Sequence, residues 1–191
     1  MPSTLKYQHA SAEMDRIGAE LTRRYRISLT KQGKNASGNL NRSIRHRVIQ
    51  TDYGVELVHE MAAYADFVNK GVQGAQENKA PKSANAQSDQ LGAWGDSPYR
   101  FGKSKFPSVP AGKIDAWAVK KNVQGTRDES GRFTPRKGMI RAISRSIYRR
   151  GLVPSLFIDR PYNRMKKQNL RTIAQAVAKD ALDYVRLIIE G

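Results

Sequence analysis

The chain has 191 residues, no cysteine, and 34 lysines and arginines against 17 acidic residues, a formal charge of +17. That length suits one domain with a real core, or one domain carrying a large insertion. The missing cysteines exclude disulfides, thiolate zinc sites and cysteine nucleophiles, and they suit assembly in a reducing cytoplasm.

Apolar runs are only a few residues long, too short for a transmembrane helix. The opening Met-Pro-Ser-Thr-Leu-Lys lacks the basic-then-apolar layout of a signal peptide. The positive charge attracts polyanions: nucleic acid, anionic membranes or acidic protein surfaces. It is uneven. Residues 111–164 hold 13 basic and 4 acidic side chains, just over half of the surplus, which predicts a basic face.

Along the chain, Met14, Ile17, Leu21, Tyr25 and Leu29 recur at helical spacing, which predicts a helix over 10–31 with Ser11 as N-cap. Residues 42–50 and 54–60 alternate in part around Thr51-Asp52-Tyr53-Gly54, the pattern of a hairpin. Leu40, Ile44 and Val48 are expected on one strand face, with Arg45 and Arg47 on the other. Residues 61–70 read as a short helix stopped by Gly71 at positive φ, with Tyr64, Phe67 and Val68 packed on the sheet.

Residues 72–111 have no period and are rich in Gln, Asn, Ser, Gly and Lys. Such a stretch reads as a binding arm ordered by neighbouring subunits. Trp94, Tyr99, Phe101 and Phe106 are its expected anchors, since large aromatics bury much area at little entropy cost. A second short helix is predicted over 113–123, carried by Ile114, Trp117 and Ala118. A charged, Gly-rich turn spans Gln124–Arg136. A helix over 138–150 follows, with Met139, Ile140, Ile143 and Ile147 on one side. Arg141, Arg145 and Arg149 recur every four residues on it, and Lys137 and Arg150 extend the patch. Such a row repels itself by a few tenths of a kcal/mol per pair unless something compensates. Contact with phosphates or with carboxylates of a neighbour would do so. The last helix is predicted over 165–189, with Leu170, Ile173, Val177, Ala181, Tyr184, Val185 and Ile188 as a continuous stripe.

The chemistry-bearing residues do not assemble into a catalytic motif. His9, His46 and His59 sit in three segments. His59-Glu60 opens like a zinc-protease motif, but the position of the second histidine holds Ala63. Asp52 and Glu56 resemble a nuclease pair, yet the expected lysine is Val58 and no carboxylate cluster is present to hold magnesium. Neither a phosphate-binding Gly-rich loop nor a nucleophile elbow occurs. The chain is therefore expected to be no enzyme and to need no cofactor.

Three segments carry a resemblance: Ser37-Gly38-Asn39-Leu40-Asn41-Arg42-Ser43-Ile44-Arg45, then Ala62-Ala63-Tyr64-Ala65-Asp66-Phe67-Val68-Asn69-Lys70-Gly71, then Pro154-Ser155-Leu156-Phe157-Ile158-Asp159-Arg160-Pro161. Their order resembles the neck, tail-completion or minor-tail-component proteins of tailed bacteriophages. The acid that family carries before its Gly is replaced here by Asn69-Lys70. About 80 residues also separate the second and third motifs, where the family has few. The elements together predict an α+β fold in a single domain, 1–191. N- and C-terminal helices would pack on a small antiparallel sheet built from 40–60 and 156–158. The core would be 10–71 and 154–189, and 72–153 an insertion or arm.

The resemblance further implies a virion structural protein, assembled in the host cytoplasm, that forms a ring of about six or twelve copies. Its partners would be portal, adaptor or tail proteins, with no membrane. Trp94, Tyr99, Phe101 and Phe106 of the arm, and Arg141, Arg145, Arg149 and Arg150 of the basic face, are the expected interaction residues. A basic protein binding nucleic acid without sequence preference is the alternative, because that requires only charge.

Overall fold

The first apolar stripe forms a helix, α1, over Gln8–Lys31, burying Ala10, Ile17, Leu21, Tyr25 and Leu29. The computed structural model describes residues 7–51, 53–75, 97–102, 111–125 and 127–190. Among these the fold is α+β, with six helices and two small antiparallel sheets. The chain divides into two compact units, residues 1–32, 39–62 and 157–191, and residues 33–38 and 63–156.

The first unit is a helix–hairpin–helix arrangement. After α1 come α2 (Asn39–Ser43), β1 (Arg45–Thr51) and β2 (Gly54–Glu60), and the chain closes with α6 (Asp159–Glu190). β1 and β2 pair antiparallel, with Val48 opposite Leu57 and Thr51 opposite Gly54. α1 packs on both strands and on α6. Gly18 permits the close approach, because a Cβ there would collide with the side chains of His46 and Leu57. Tyr25 is buried edge-on to Phe157 and His59, and burial pushes its hydroxyl up to about 12.

Several details depart from the sequence pattern. Ser11 does not cap α1. Tyr7 is the N-cap residue, and its side chain makes no capping bond. The buried Asp180 of α6 accepts the backbone N–H groups of His9 and Ala10 at 2.8 and 2.9 Å. Ser11 instead accepts a 2.6 Å hydrogen bond from the Gln50 side chain. Leu40 is buried from α2, not from a strand, while Ile44 and Val48 keep their inward positions and Arg45 and Arg47 point out.

Residues 156–158 add no strand to the hairpin. Leu156 takes φ 51°, which turns the chain so that Phe157 becomes fully buried in the first unit. α6 starts at Asp159, earlier than the predicted 165, because Pro161 falls in its first turn, where its missing N–H costs nothing. The buried face of α6 is also not the predicted one. Met165, Asn169, Ala176 and Asp180 face inward, while Leu170 and Val177 of the expected stripe stay 58% and 41% exposed.

The second unit holds α3 (Ala65–Lys70), β3 (Val72–Gln73), α4 (Ala111–Lys120), α5 (Arg136–Arg150) and β4 (Gly151–Leu152). Gly71 ends α3 at φ 73°, as expected. Tyr64 and Phe67 are both more than 40% exposed, and Ala65 and Asn69 are the buried residues of α3. β3 pairs with β4 on one side and bridges Arg100 on the other. α4 and α5 share a small apolar cluster of Ile114, Ala118 and Ile140, edged by Val123, Met139 and Ile143. Trp117 lies outside it, 40% exposed.

Candidate docking surface

Most of the expected interaction residues lie in the second unit, on two kinds of support. The first is α5. Its inner side buries Ile140 and Ser144, so helical geometry turns Arg141, Arg145, Arg149 and Arg150 outward, and all four are exposed. Among the described residues none of these four has an ion pair. The acid near the start of the helix is used by another residue, since Arg136 binds Asp115 at 2.5 Å. Arg149 and Arg150 sit in the last turn, where the carbonyl end of the helix favours cations. The row is thus fixed by a packed helix and left uncompensated by the rest of the described chain.

The second support is the segment that pairs with β3. Residues 97–102 run beside β3. Gln73 donates its N–H to Tyr99 O at 2.8 Å, and Phe101 donates its N–H to Gln73 O at 3.0 Å. Ser97 Oγ donates to Gly71 O at 2.8 Å, and the Gln73 side chain donates to Ser97 O at 2.8 Å.

This pairing places two of the four aromatic anchors. Tyr99 packs on Phe67, ring centroids 4.3 Å apart, and its hydroxyl donates a short hydrogen bond to Asp66. That bond pushes the Tyr99 hydroxyl up. Partial burial works to raise the Asp66 carboxyl, but hydrogen bonds from Tyr99 and Lys70 outweigh it and hold the group below its usual range. Phe101 lies 6.0 Å from the ring of Tyr148, whose hydroxyl donates to Gly102 O at 2.6 Å. Trp94 and Phe106 lie outside the described residues.

Asp66, Phe67 and Tyr148 were not legible as partners, because the pairing joins residues more than 30 apart. Another missed feature is a small knuckle over 127–133. Arg127 and Phe133 pair across it, the guanidinium stacks 4.2 Å over the Phe133 ring, and Asp128 accepts the N–H groups of Ser130 and Arg132. Phe133 is still 64% exposed. The signal was present in Asp-Glu-Ser-Gly, a turn sequence between an arginine and an aromatic residue.

The residues weighed for catalysis are dispersed or occupied. Among the described residues, no group of three or more His, Asp or Glu side chains could hold a metal ion. His46 is held between Asp15 and Thr22, and Glu60 pairs with Arg47 at 2.7 Å. Asp52 lies outside the described residues. An open groove between α1 and β1 is lined by Arg23, Arg26, Arg45 and His46. Arg23 is tied to Glu20 there, and Arg26 donates to the carbonyl of Ile44. Among the described residues, no helix is long and apolar enough to cross a membrane.

No protein-family model matches the chain, and searches of curated proteins and of solved structures gave no match either.

Proposed function

We propose that this protein is a non-enzymatic structural component of a tailed-bacteriophage virion. It would form a ring at the head–tail junction or at the tail-proximal end and join connector to tail. The observation that carries the proposal is how the three motif segments meet. Ser155, in the third motif, donates both its N–H and its hydroxyl to the carbonyl of Val68, in the second, and Leu156 donates its N–H to Asn69 O. These partners are 87 residues apart in sequence. Ser43, in the first motif, accepts the N–H of Ala62, where the second begins. Segments that resemble one family's motifs therefore touch as the parts of one construction would, despite the long insertion between two of them.

In the ring the outward arginines of α5 meet acidic protein surface, and the arm reaches a neighbour through its aromatic residues. A stable contact of that kind needs on the order of 1,000 Å². Electron microscopy of a particle containing the chain tests the proposal. A symmetric ring at the capsid–tail junction is the expected result, and a chain absent from the particle would overturn it.

A second reading rests on one observation, the row Arg141, Arg145, Arg149 and Arg150, which has no ion pair among the described residues. Phosphates would satisfy the row as well as carboxylates. The two readings separate by salt. Binding of a random DNA duplex through four phosphate contacts would weaken steeply between about 50 and 200 mM salt, whereas a ring anchored by aromatic residues would persist.

A further inference from the structure

Residues 21–51 hold eight lysines and arginines and not one acidic residue. The run covers the second half of α1, the turn after it, α2 and β1. Apart from residues 33–38 it lies in the first unit, away from the arginines of α5.

The groove between α1 and β1 opens inside this run. Its volume is about 580 Å³, within the range of sites that hold a ligand, and every residue lining it belongs to the first unit. Ala19 and Ile27 of α1, with Ile44 just ahead of β1, supply apolar surface, and Ile27 is 39% exposed. Arg23, Arg26 and Arg45 supply the cationic surface, and all three are exposed. Helical spacing explains the α1 side. Residues 19, 23, 26 and 27 recur every three or four positions, on the flank beside the buried stripe of Ile17, Leu21 and Tyr25. Thr22 and His46 also line the groove, but they bond each other at 3.3 Å and His46 binds Asp15 at 3.1 Å.

The arginines are not balanced in the same way. Glu20 holds both Arg23 and Arg24, one negative charge against two positive. Arg26 donates to the carbonyl of Ile44 at 2.7 Å, a neutral acceptor that leaves the charge unmatched. Arg45 has no hydrogen bond or ion pair among the described residues. Arg23, Arg24, Arg26 and Arg45 thus stand against Glu20 and Asp15, and the groove keeps a net positive charge.

We infer that this groove binds an acidic peptide segment of a partner protein, with carboxylates on Arg26 and Arg45 and an aliphatic side chain on Ile27 and Ala19. Guanidinium groups bind carboxylates through paired, charge-assisted hydrogen bonds. The apolar surface between the cations selects peptide over nucleic acid, because a duplex presents sugar and phosphate there and nothing aliphatic. From residue 19 to residue 27 the groove runs about 12 Å, the reach of about four extended residues. An open groove covers one side of so short a segment, so dissociation is expected at roughly 10–100 µM. The inference uses neither the arm nor α5 and stands whether or not the chain forms a ring.

Fluorescence anisotropy of a labelled peptide of about six residues, alternating glutamate and leucine, tests it on the full chain at moderate salt. Arg45→Glu is expected to weaken binding at least tenfold; Arg45 is exposed and unpaired among the described residues, so the fold is kept. Ile27→Ser is expected to weaken it severalfold. Arg171→Glu, the same change of charge on an exposed position of α6, is expected to leave it within about twofold. Equal weakening by Arg45→Glu and Arg171→Glu would reduce the binding to the overall charge of the chain and overturn the inference. So would a serine-for-leucine peptide that binds as well, or no binding at millimolar peptide. A random DNA duplex that displaces the peptide and itself loses tenfold on Arg45→Glu would assign the groove to phosphates and overturn it too.

Discussion

The helix–hairpin–helix unit buries Ile17, Leu29, Ile44 and Phe157 to 2% exposure or less, all large apolar side chains. The second unit shares a cluster of three buried residues between α4 and α5, one of them alanine. It is also tied by backbone hydrogen bonds among residues 68–75, 97–102 and 148–155, such as Ala75 N–H to Tyr148 O at 2.9 Å. Apolar burial contributes roughly 25 cal/mol per Å², whereas each hydrogen bond adds about 1 kcal/mol net and is costly mainly when broken. The first unit is therefore a platform held by packing. The second is held more by chain geometry, and it carries the arginines and the described aromatics of the proposed docking surface.

Breaking packing in the first unit should have the largest effect. Phe157→Ala removes a fully buried ring packed edge-on to Tyr25 of α1 and is expected to cost about 3–5 kcal/mol, read as a fall in the midpoint of urea unfolding. Breaking chain geometry in the second unit should cost less and stay local. Gly151 has φ 85°, and a Cβ there would run into the carbonyl of Val72. Gly151→Ala is expected to cost about 1–3 kcal/mol, seen as faster hydrogen exchange at Gln73 and Phe101 with the α1 amides still protected. Equal loss of protection in both units would erase the distinction between them.

A smaller change sharpens the picture of the platform. Asp180→Ala leaves two N–H groups of α1 without their acceptor and should cost about 1–2 kcal/mol. Ser11→Ala should cost less, since Ser11 is not the cap; a reversed order would restore Ser11 to that role.

The smallest effect concerns pH. His59 is half-buried, its Nε2 has no hydrogen-bond partner among the described residues, and burial pushes its pKa below the ordinary value, with a hydrogen bond to the Gly18 backbone opposing and His46 adding to the shift. A depressed histidine favours the neutral fold, so the unfolded chain takes up the proton first as pH falls. Stability should decline below about pH 6.5, the unfolded value. His59→Phe should flatten that decline, and an unchanged profile would place the titration elsewhere.

By itself the sequence determined where the helices lie. Period and punctuation place α1, α5 and the hairpin within about three residues, because helical spacing and a short turn are local properties. Gly71 ended α3 for the same reason, since a positive φ is a property of one residue. The sequence also set the outward arginines of α5, which follow from four-residue spacing once Ile140 faces in. Tertiary structure decided which of two apolar faces α6 buries. Met165, Asn169, Ala176 and Asp180 include two polar residues, and no hydropathy pattern prefers that face over Leu170, Ile173 and Val177. Asp180 turns inward because the first N–H groups of α1 require an acceptor, and a partner 170 residues away cannot be read from local pattern. The same holds for Val68 with Ser155 and for Tyr99 with Asp66. Long-range pairing is chosen by which polar groups burial would otherwise leave unsatisfied, and that is defined only once the chain has folded.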